Sequence, residues 1–464
     1  RSTGHILQAS NAVIRNNQGR KGKELWTKAG EGEPIQLHTA MNEHEEAQYV
    51  AAKILEHYSQ GMGWKDHAIL YRMNAQSNAL EFAMKRNGIP YRVIGGTRFF
   101  DRAEVKDMLS YLCVINNRAD DLRLKRIINN PARGLGPKTI ETAQRLAQAE
   151  GKPLYAIVSD PYSYAPLEKP AMKLMQFTSL IEGMAQLLEE GMSLPDFYDE
   201  VLRRSGYEEM LLSKPTEENK TRLENVRELK SSINSYVENA ETPSLAGFLE
   251  EIALYTDIQE YNESDDAAVM MTMHSAKGLE FPHVFLVGFE DGLFPGMRAI
   301  GDTEEMEEER RLCYVAITRA KKTLTITHAK QRMIYGRTSA AMASRFLREI
   351  PEEYIQRKGG YRTVRTESPS YFGTDSYQQY PSAMQQKRKE QYRKAETSVF
   401  TSQSSKGAYL ELNKGDMVSH AAFGRGMVLS VMKMGGDALL EIAFDDIGTK
   451  KLMAKTASAH MKKL

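Results

Sequence analysis

The sequence predicts an α/β fold: a parallel sheet domain interrupted by an inserted all-helical domain, then a disordered linker and a small β-barrel. Three observations support this prediction. Short apolar strands alternate with helical periodicity in two separate parts of the chain, as is typical of parallel sheets. Roughly 200 residues of mostly helical periodicity separate these parts, far more than a crossover in a compact sheet needs. A polar stretch near the end then precedes short apolar strands separated by turns.

The composition limits the class of protein. A chain of 464 residues exceeds one hydrophobic core and is expected to form about two to four domains. Hydrophobic residues make up 41% and charged residues 27%, which indicates a mostly globular chain. The net charge is +1, so a nucleic-acid surface would have to be local. No apolar run approaches the roughly 20 residues of a membrane span, so we expect no membrane partner.

The chain opens at Arg1 without a methionine or a signal peptide, which suggests a fragment of a cytoplasmic protein. Its two cysteines, Cys113 and Cys313, lie far apart in the sequence. One disulfide would be compatible with this count, but two buried free thiols in a reducing compartment are the expected state.

The first part of the sheet domain is predicted from two apolar runs, residues 34–39 and 68–71. Asn42 and Glu45 have the spacing of a capping box at the start of a helix. Asn74 is expected to cap the helix that follows the second strand. The second part is predicted from strands at 269–273, 284–287 and 323–327, with a long helix from about Glu305 to Thr318.

The predicted domains follow from these elements. Residues 1–97 and 266–356 form the two segments of the sheet domain, and residues 98–265 form the helical insertion. Residues 357–408 are rich in polar and basic residues and are expected to be a disordered linker. Residues 409–464 are expected to form the barrel, because strands at 427–431 and 439–444 flank the turn Gly435–Gly436.

The segment MTMHSAKGLEF, residues 271–281, ends a strand and continues as a polar loop. Such loops lie at the carboxyl edge of a parallel sheet, where ligands bind. His274, Ser275 and Lys277 can contact phosphates, and Gly278 allows a close approach of the backbone. The alternative is a surface turn with polar residues in these positions by chance.

The segment EEERRLCYVAITRA, residues 307–320, starts as an acidic helix and places Arg319 near the helix end. A fixed guanidinium there can reach a γ-phosphate across an interface between two lobes, as an arginine finger does. The alternative is a surface arginine in an ordinary ion pair.

The insertion contains NNPARGLGPKT, residues 129–139. Gly134 and Gly136 followed by Pro137 at a helix start resemble the turn of a helix-hairpin-helix. The free backbone N–H groups of such a turn suit a DNA phosphate, and Arg133 and Lys138 flank it. The alternative is a plain connection between two helices.

Residues 271–281 resemble motif V, and residues 307–320 resemble motif VI, of superfamily 1 DNA helicases of the UvrD/PcrA/Rep type. YRMNAQS at 71–77, GGTRFFDRAEVKD at 95–107 and the opening RSTGHIL are also similar to stretches of this family. The resemblance runs in order from Arg1 to about Ile350. It implies that the sheet domain is a RecA-like motor lobe, the second of two. The terminal barrel resembles the Tudor-like, SH3-type barrel of the PcrA branch.

The resemblance also implies roles for individual residues. Arg1 and Arg319 would contact the γ-phosphate, and Gly278 and Glu280 would contact the nucleotide. The single strand would be bound by Arg72, Asn74 and His274, and duplex DNA by Arg133, Gly134, Gly136 and Lys138. Ala316 stands where the family often has glycine, which leaves Arg319 in place.

Two expected motor motifs are not found in this sequence. No G-x-x-x-x-G-K-[ST] pattern occurs, so the chain lacks a Walker A loop. Residues 45–48, EEAQ, superficially resemble a Walker B motif, but they lie within the predicted capped helix. We therefore expect the ligands of ATP phosphates and of Mg²⁺ on a separate first lobe, and this chain alone to be inactive.

The resemblance implies the C-terminal part of an ATP-dependent 3′–5′ DNA helicase of the bacterial cytoplasm. It leaves the pathway open between DNA repair, plasmid replication and transcription conflict. Its expected partners are single-stranded DNA, duplex junctions, the first helicase lobe and, through the barrel, RNA polymerase. One alternative is a DNA- or polymerase-binding module without motor activity. Another is a helicase–nuclease subunit of the AddA/RecB type, although the C-terminus lacks the expected cluster of Asp, Glu and Lys.

Overall fold

The computed structural model describes residues 2–18, 26–257, 266–358, 412–434, 437–445, 447–458 and 460–464. Arg1, the turn Gly435–Gly436 and most of the predicted linker lie outside these residues. The first two linker residues, Arg357 and Lys358, belong to a strand, so the predicted start of the linker is two residues early.

The sheet domain, which we call the motor domain after the lobe that it resembles, is built on a seven-stranded sheet in the order β3-β4-β2-β5-β6-β1-β9. All of its neighbouring strands are parallel, which confirms the predicted sheet. Its strands are β1 Ile35–Ala40, β2 His67–Tyr71, β3 Tyr91–Val93, β4 Ala268–Thr272, β5 Phe281–Leu286, β6 Ala320–Ala329 and β9 Ile355–Lys358. Strands β3 and β9 were not predicted, because three or four residues give little periodicity.

Helices cover both faces of this sheet, since alternate residues along a strand point to opposite sides. On one face, Leu70 and Met271 share a core with α1, Gly4–Arg15, and α13, Thr303–Ile317. On the other face, Ile69 and Met270 share a core with α2, Glu43–Ser59, and α3, Ser77–Arg86. This arrangement is the two-sided packing that parallel sheets require.

The helix caps show one correct and one wrong prediction. The Asn42 side chain accepts a hydrogen bond from the Glu45 backbone N–H at 2.9 Å and caps α2, as predicted. Asn74 does not cap α3; it begins a short 3-10 helix, Asn74–Gln76, which precedes α3. Residues 45–48 lie within α2, which agrees with the rejection of a Walker B motif there.

The insertion is entirely helical in its described residues, and its helices share one hydrophobic core that starts at the buried pair Phe99 and Phe100. Its helices are α4 Ala103–Asn116, α5 Asp121–Ile127, α6 Pro137–Glu150, α7 Leu154–Ser159, α8 Ala171–Glu189, α9 Leu194–Arg204, α10 Tyr207–Leu212, α11 Glu217–Asn239 and α12 Leu245–Asp257. A polar seam joins it to the motor, where the Arg102 guanidinium donates to Asn225 at 2.7 Å and to Ser77 at 3.0 Å.

An antiparallel hairpin, β7 Gln331–Ile334 and β8 Arg337–Ala340, extends the motor toward the insertion. Arg332 anchors it through buried ion pairs with Glu46 at 2.6 Å and Glu290 at 2.5 Å. At the hairpin tip, the Tyr335 backbone N–H donates to Glu228 of α11 at 2.9 Å. The short helix α14, Phe346–Glu349, follows the hairpin.

The C-terminal domain is a five-stranded antiparallel sheet in the order β13-β12-β11-β10-β14. Its elements are β10 Met417–His420, β11 Gly424–Met434, β12 Asp437–Phe444, β13 Gly448–Met453, α15 Ala454–Ala457 and β14 Met461–Lys463. The two strands predicted here lie within β11 and β12. The predicted small β-domain is therefore confirmed.

Both cysteines are free thiols, which confirms that prediction. Cys313 is buried, as expected, whereas Cys113 is partly exposed, so the prediction that both thiols are buried is wrong for Cys113. Within the described ranges, no helix combines the length and the apolar composition that crossing a membrane requires.

Candidate nucleotide and nucleic-acid sites

The candidate site residues of the motor divide between the two edges of the sheet. Arg72 follows the carboxyl end of β2, and His274 follows the carboxyl end of β4. Glu280 and Arg319 precede β5 and β6 and therefore lie at the amino edge. The loop 273–280 was expected to lie at the carboxyl edge, which is wrong for its second half. Because β4 and β5 run in the same direction, the loop between them must return across the sheet.

At the amino edge, Arg319 is held in place by three hydrogen bonds. Its Nε donates to the Val315 carbonyl at 2.9 Å, and its Nη1 donates to the Leu279 carbonyl at 2.9 Å. Its Nη2 donates to the Thr318 hydroxyl at 3.1 Å. The Phe281 backbone N–H in turn donates to the Arg319 carbonyl at 2.9 Å. The guanidinium is therefore fixed beside the loop that carries the candidate nucleotide contacts.

That loop leaves room for a ligand. Gly278 has a φ of 89°, and a Cβ atom at this position would have no atom within 4 Å. The Glu280 side chain is 47% exposed, and its carboxylate lies 3.6 Å from the Lys321 ammonium. The structure therefore places an open glycine, an exposed carboxylate and a fixed guanidinium next to one another at this edge, as one side of the candidate nucleotide site.

The start of the described chain lies at the same edge. The Ser2 hydroxyl donates to the Thr318 carbonyl at 3.4 Å, and the Thr3 backbone N–H donates to the Lys321 carbonyl at 3.1 Å. Arg1, the other candidate γ-phosphate contact, lies outside the described residues. Among the residues that are described, no group of three or more His, Cys, Asp and Glu could hold a metal ion.

At the carboxyl edge, Arg72 forms a bidentate ion pair with Glu309 of α13. Its Nη2 and Nε donate to Glu309 Oε1 at 2.8 and 3.1 Å. The Gly296 backbone N–H also donates to this carboxylate, at 3.1 Å. The Gln76 side-chain carbonyl accepts from the backbone N–H groups of Arg72 and Met73 at 2.9 Å each. Both the backbone and the side chain of Arg72 are therefore positioned by the protein.

His274 is exposed beside this ion pair. Partial burial, and then the nearby Arg72 guanidinium, lower the pKa of His274. Asn74 is partly exposed at the start of its 3-10 helix. The structure thus brings Arg72 and His274 together at the carboxyl edge. Their strands β2 and β4 lie two and three positions in the sheet from β6, which Arg319 precedes at the other edge.

In the insertion, the structure gives Arg133 an internal role. Its Nη1 donates to the carbonyls of Ile127 and Pro131 at 3.0 and 3.1 Å. Its Nη2 donates to the Tyr111 hydroxyl at 2.7 Å and to the Ser205 carbonyl at 2.9 Å. Four of its five N–H groups are thereby used within the protein. We therefore assign Arg133 to holding the turn together rather than to contacting a phosphate directly.

The other candidates in this turn face outward. Gly134 has a φ of 69°, which glycine adopts without strain, and Gly136 lies directly before α6. Lys138 is exposed in the first turn of α6. The Asn129 side chain holds the turn by accepting from the backbone N–H groups of Arg133 and Leu135 at 2.8 and 3.1 Å.

Three residues with roles in these sites were missed by sequence reasoning: Glu309, Gln76 and Asn129. Each lies within a motif that the sequence singled out, but none was given a role there. Glu309 is the last of three consecutive glutamates, and nothing in the sequence distinguishes the one that pairs with Arg72. A fixed arginine often pairs with a carboxylate, so an acidic partner for Arg72 could have been expected, although not which of the glutamates it would be.

Two family models match parts of this chain. Residues 1–331 match the UvrD-like helicase C-terminal domain, and residues 415–459 match the PcrA/UvrD tudor domain. The chain is 41% identical over 468 residues to the ATP-dependent DNA helicase PcrA of Staphylococcus aureus strain Mu50, covering 100% of this chain and 61% of the relative. It is also 41% identical over 461 residues to PcrA of Staphylococcus epidermidis strain ATCC 12228, covering 98% of this chain and 60% of that relative.

The chain thus spans about three fifths of the length of these curated relatives. The matched region of each is its C-terminal part. The barrel matches a tudor domain, not a nuclease, which removes the main support for the AddA/RecB alternative. The chain belongs to the UvrD-like helicase family, in which it corresponds to the C-terminal part of PcrA.

Proposed function

We propose that this chain supplies the second motor lobe, the helical insertion and the partner-binding barrel of an ATP-dependent DNA helicase that moves 3′ to 5′ along a single strand. The observation that carries the proposal is the placement of Arg319. Its guanidinium is fixed at the sheet edge beside the open Gly278 and the exposed Glu280. A cation held in this way is suited to a phosphate that arrives from a facing lobe.

The proposal divides the catalytic work between two lobes. Phosphoryl transfer needs a phosphate cradle, a magnesium-binding carboxylate and a group that positions water, and these would lie on the first lobe. The second lobe would contribute Arg319, Arg1 and Glu280. Three described contacts orient Arg319 and leave two of its five N–H groups for the γ-phosphate.

The test is steady-state ATPase activity of this chain mixed with the first lobe of a PcrA relative. The mixture should hydrolyse ATP in a DNA-stimulated manner, while this chain alone should not. Arg319→Ala should lower turnover by about 10³-fold or more and leave DNA binding intact. Arg319→Lys should restore little, because a point charge lacks the planar fork. Strong turnover by the purified chain alone, or full activity with Arg319→Ala, would overturn the proposal.

The DNA contacts are proposed at two further places. Arg72, Asn74 and His274 would bind phosphates of the single strand at the carboxyl edge of the sheet. Gly134, Gly136 and Lys138 would bind a duplex phosphate at the start of α6, where the helix dipole favours an anion. His274→Ala should weaken single-strand binding and its stimulation of ATPase while leaving DNA-independent turnover unchanged, the reverse of Arg319→Ala.

The barrel is proposed to bind a protein partner, for which RNA polymerase is the candidate. Its strand β11 presents Met427 and Met432 at 43% and 54% exposure, and such apolar surface is typical of protein contacts. The competing function is non-specific DNA binding through exposed lysines such as Lys462 and Lys463. Met427→Asp with Met432→Asp should abolish polymerase capture by the full chain. Unchanged capture by that variant would exclude this face.

The cellular setting follows from the same proposal. A 3′–5′ helicase with a polymerase-binding barrel would act in DNA repair or replication in the bacterial cytoplasm, with ATP and Mg²⁺ as cofactors. The alternative of a binding module without motor activity is separated from it by the mixed-lobe ATPase experiment. In that case the chain would bind DNA but stimulate no turnover with any first lobe.

A further inference from the structure

The terminal barrel contacts the motor domain at an apolar seat. On the motor, the seat consists of Trp64, which precedes β2, and Gly88, which lies between α3 and β3. On the barrel, Phe423 and Leu452 face it. The rings of Trp64 and Phe423 are 6.4 Å apart between centroids. Residues of both domains belong to one continuous hydrophobic core.

The fit at Gly88 is close. A Cβ atom at this position would lie 2.7 Å from Cδ2 of Leu452 and 3.5 Å from Cε2 of Phe423. Gly88 also has a φ of 62°, so glycine suits both the turn and the approach of the barrel. Trp64 is only 6% exposed and stacks on Tyr58 at 3.8 Å on its other side. The barrel and the motor domain are therefore closely packed against each other at the seat.

The seat lies away from both candidate sites of the motor. It is at the amino edge, on the face of the sheet that α2 and α3 cover, because it shares its core with Ile69 and Phe285. The helix α13, which ends two residues before Arg319, lies against the opposite face, which Leu70 and Val284 line. A barrel in this seat leaves the nucleotide and single-strand residues accessible, and it leaves Met427 and Met432 exposed.

We propose that the barrel docks on the second motor lobe through this seat and moves with it as one body. The contact is formed by Trp64 and Gly88 on the motor side and by Phe423 and Leu452 on the barrel side. A protein bound to the exposed methionines of strand β11 is then held at a fixed position relative to the motor domain. This inference does not depend on the proposed helicase activity.

The experiment follows the motion of the barrel in the full chain by methyl NMR of its methionines. Signals of Met427 and Met432, assigned by substitution, should relax like that of Met84, which is buried in α3 of the motor. Gly88→Asn should undock the barrel and narrow both barrel signals several-fold, since a small body tumbles faster. Asparagine is used because it tolerates positive φ better than other residues with a side chain.

Gly61→Asn is the matched control. Gly61 also has a positive φ, 89°, after a helix, but a Cβ atom there would have no atom within 4 Å. In the Gly61→Asn variant, the methyl signals of Met427 and Met432 should stay as broad as in the parent chain. Because Leu452 could shift aside, Leu452→Lys provides a second test from the barrel side, with the dispersion of the methyl shifts reporting that the barrel is folded.

A second readout uses Trp64 in a Trp26→Phe background, where it is the remaining tryptophan. Acrylamide should quench its fluorescence more strongly in Gly88→Asn than in Gly61→Asn. Narrow barrel signals in the parent chain would overturn the proposal. So would broad signals in both Gly88→Asn and folded Leu452→Lys, because the barrel would then be held elsewhere.

Discussion

Arg72 and Glu309 join the two edges of the motor sheet through one helix. Their bidentate ion pair, with Arg72 Nη2 2.8 Å from Glu309 Oε1, lies at the carboxyl edge. Glu309 belongs to α13, and the same helix ends at Ile317, two residues before Arg319 at the amino edge. The nine residues from Glu309 to Ile317 span roughly 13 Å of helix, so the candidate strand contact and the candidate finger are connected by a rigid element.

The first prediction concerns this ion pair. Glu309→Gln should release Arg72 from its fixed orientation and uncouple DNA binding from turnover. In the mixed-lobe assay, stimulation by DNA should fall about 2- to 30-fold, the effect of a coupling change of roughly 0.5–2 kcal/mol. DNA-independent ATPase should remain. Glu308→Gln, an exposed neighbour on the same helix, is the control. Equal stimulation in the two variants would contradict a coupling role.

The second prediction concerns Arg133. Its guanidinium donates four hydrogen bonds and lies over the rings of Tyr111 and Phe177 at 5.9 and 5.3 Å. Arg133→Ala should lower the stability of the insertion by about 2–4 kcal/mol, because several carbonyls lose their donor. Arg133→Lys should recover little of this loss. Hydrogen exchange of α4 and α5 would measure it, with the exposed Arg145→Ala as control. Unchanged protection in Arg133→Ala would show that the bonds are dispensable.

The third prediction separates DNA contact from folding in the same turn. Lys138→Ala should leave the stability of the insertion unchanged and weaken its binding to a duplex junction. The negative slope of log K against log salt should become shallower by about one, which is the contribution of a single phosphate contact. Lys169→Ala, an exposed lysine elsewhere in the insertion, should change neither. Junction binding by Lys138→Ala that matches the parent at several salt concentrations would remove this contact.

The fourth prediction concerns acid stability and a cluster of three histidines. His57 Nδ1 and His67 Nε2 are 3.0 Å apart, and the His283 ring centroid lies 4.9 and 5.2 Å from those of His57 and His67. Burial first, and then the neighbouring imidazoles, lower the pKa of His57 and of His283 to about 4. Burial also lowers the pKa of His67. The nearby charged groups are Lys53, Glu56, Asp66, Asp266 and Lys322.

The direction in which stability changes with pH follows from proton linkage. Between about pH 4 and pH 6.5 the unfolded chain binds more protons at these positions than the folded chain, so stability falls as the pH falls. His57 and His283 together should contribute a loss of about 2 kcal/mol from pH 7 to pH 5, after allowance for screening. The double variant His57→Gln, His283→Gln should flatten the dependence of unfolding free energy on pH. The exposed His44→Gln should leave it unchanged. An equally steep profile in the double variant would exclude the cluster as its source.

Local signals in the sequence predicted much of the fold. The capping of α2 by Asn42 depends on residues three positions apart, and the apolar runs of β2, β4 and β6 carry their own strand pattern. The order of the strands was not predictable in the same way, because pairing joins residues such as Tyr91 and Ala268 that are distant in the chain. The crossing of loop 273–280 between the two edges depends on that order.

A local motif was enough to single out a candidate residue. The role of that residue depends on the contacts that it makes in the fold, which the sequence does not show. Arg319 lies beside Leu279, so the two segments that the sequence singled out adjoin each other in the fold. Arg133 was predicted to contact DNA because it flanks two glycines, but Tyr111 and Ser205 accept from its guanidinium inside the fold. A sequence shows that a residue is an arginine; it does not show which acceptors surround the guanidinium.

The strand order places the exit of the motor chain and the seat of the barrel at opposite sides of the sheet. β9 is followed by residues 359–411, and four strand spacings separate it from β2. At about 4.8 Å each, this is roughly 19 Å, a distance that about six extended residues would bridge. Residues 359–411 exceed this number several-fold, so the length of the connecting chain does not prevent the barrel from reaching the seat. The fit of Phe423 and Leu452 against Trp64 and Gly88, rather than the length of the connecting segment, therefore determines whether the barrel is docked.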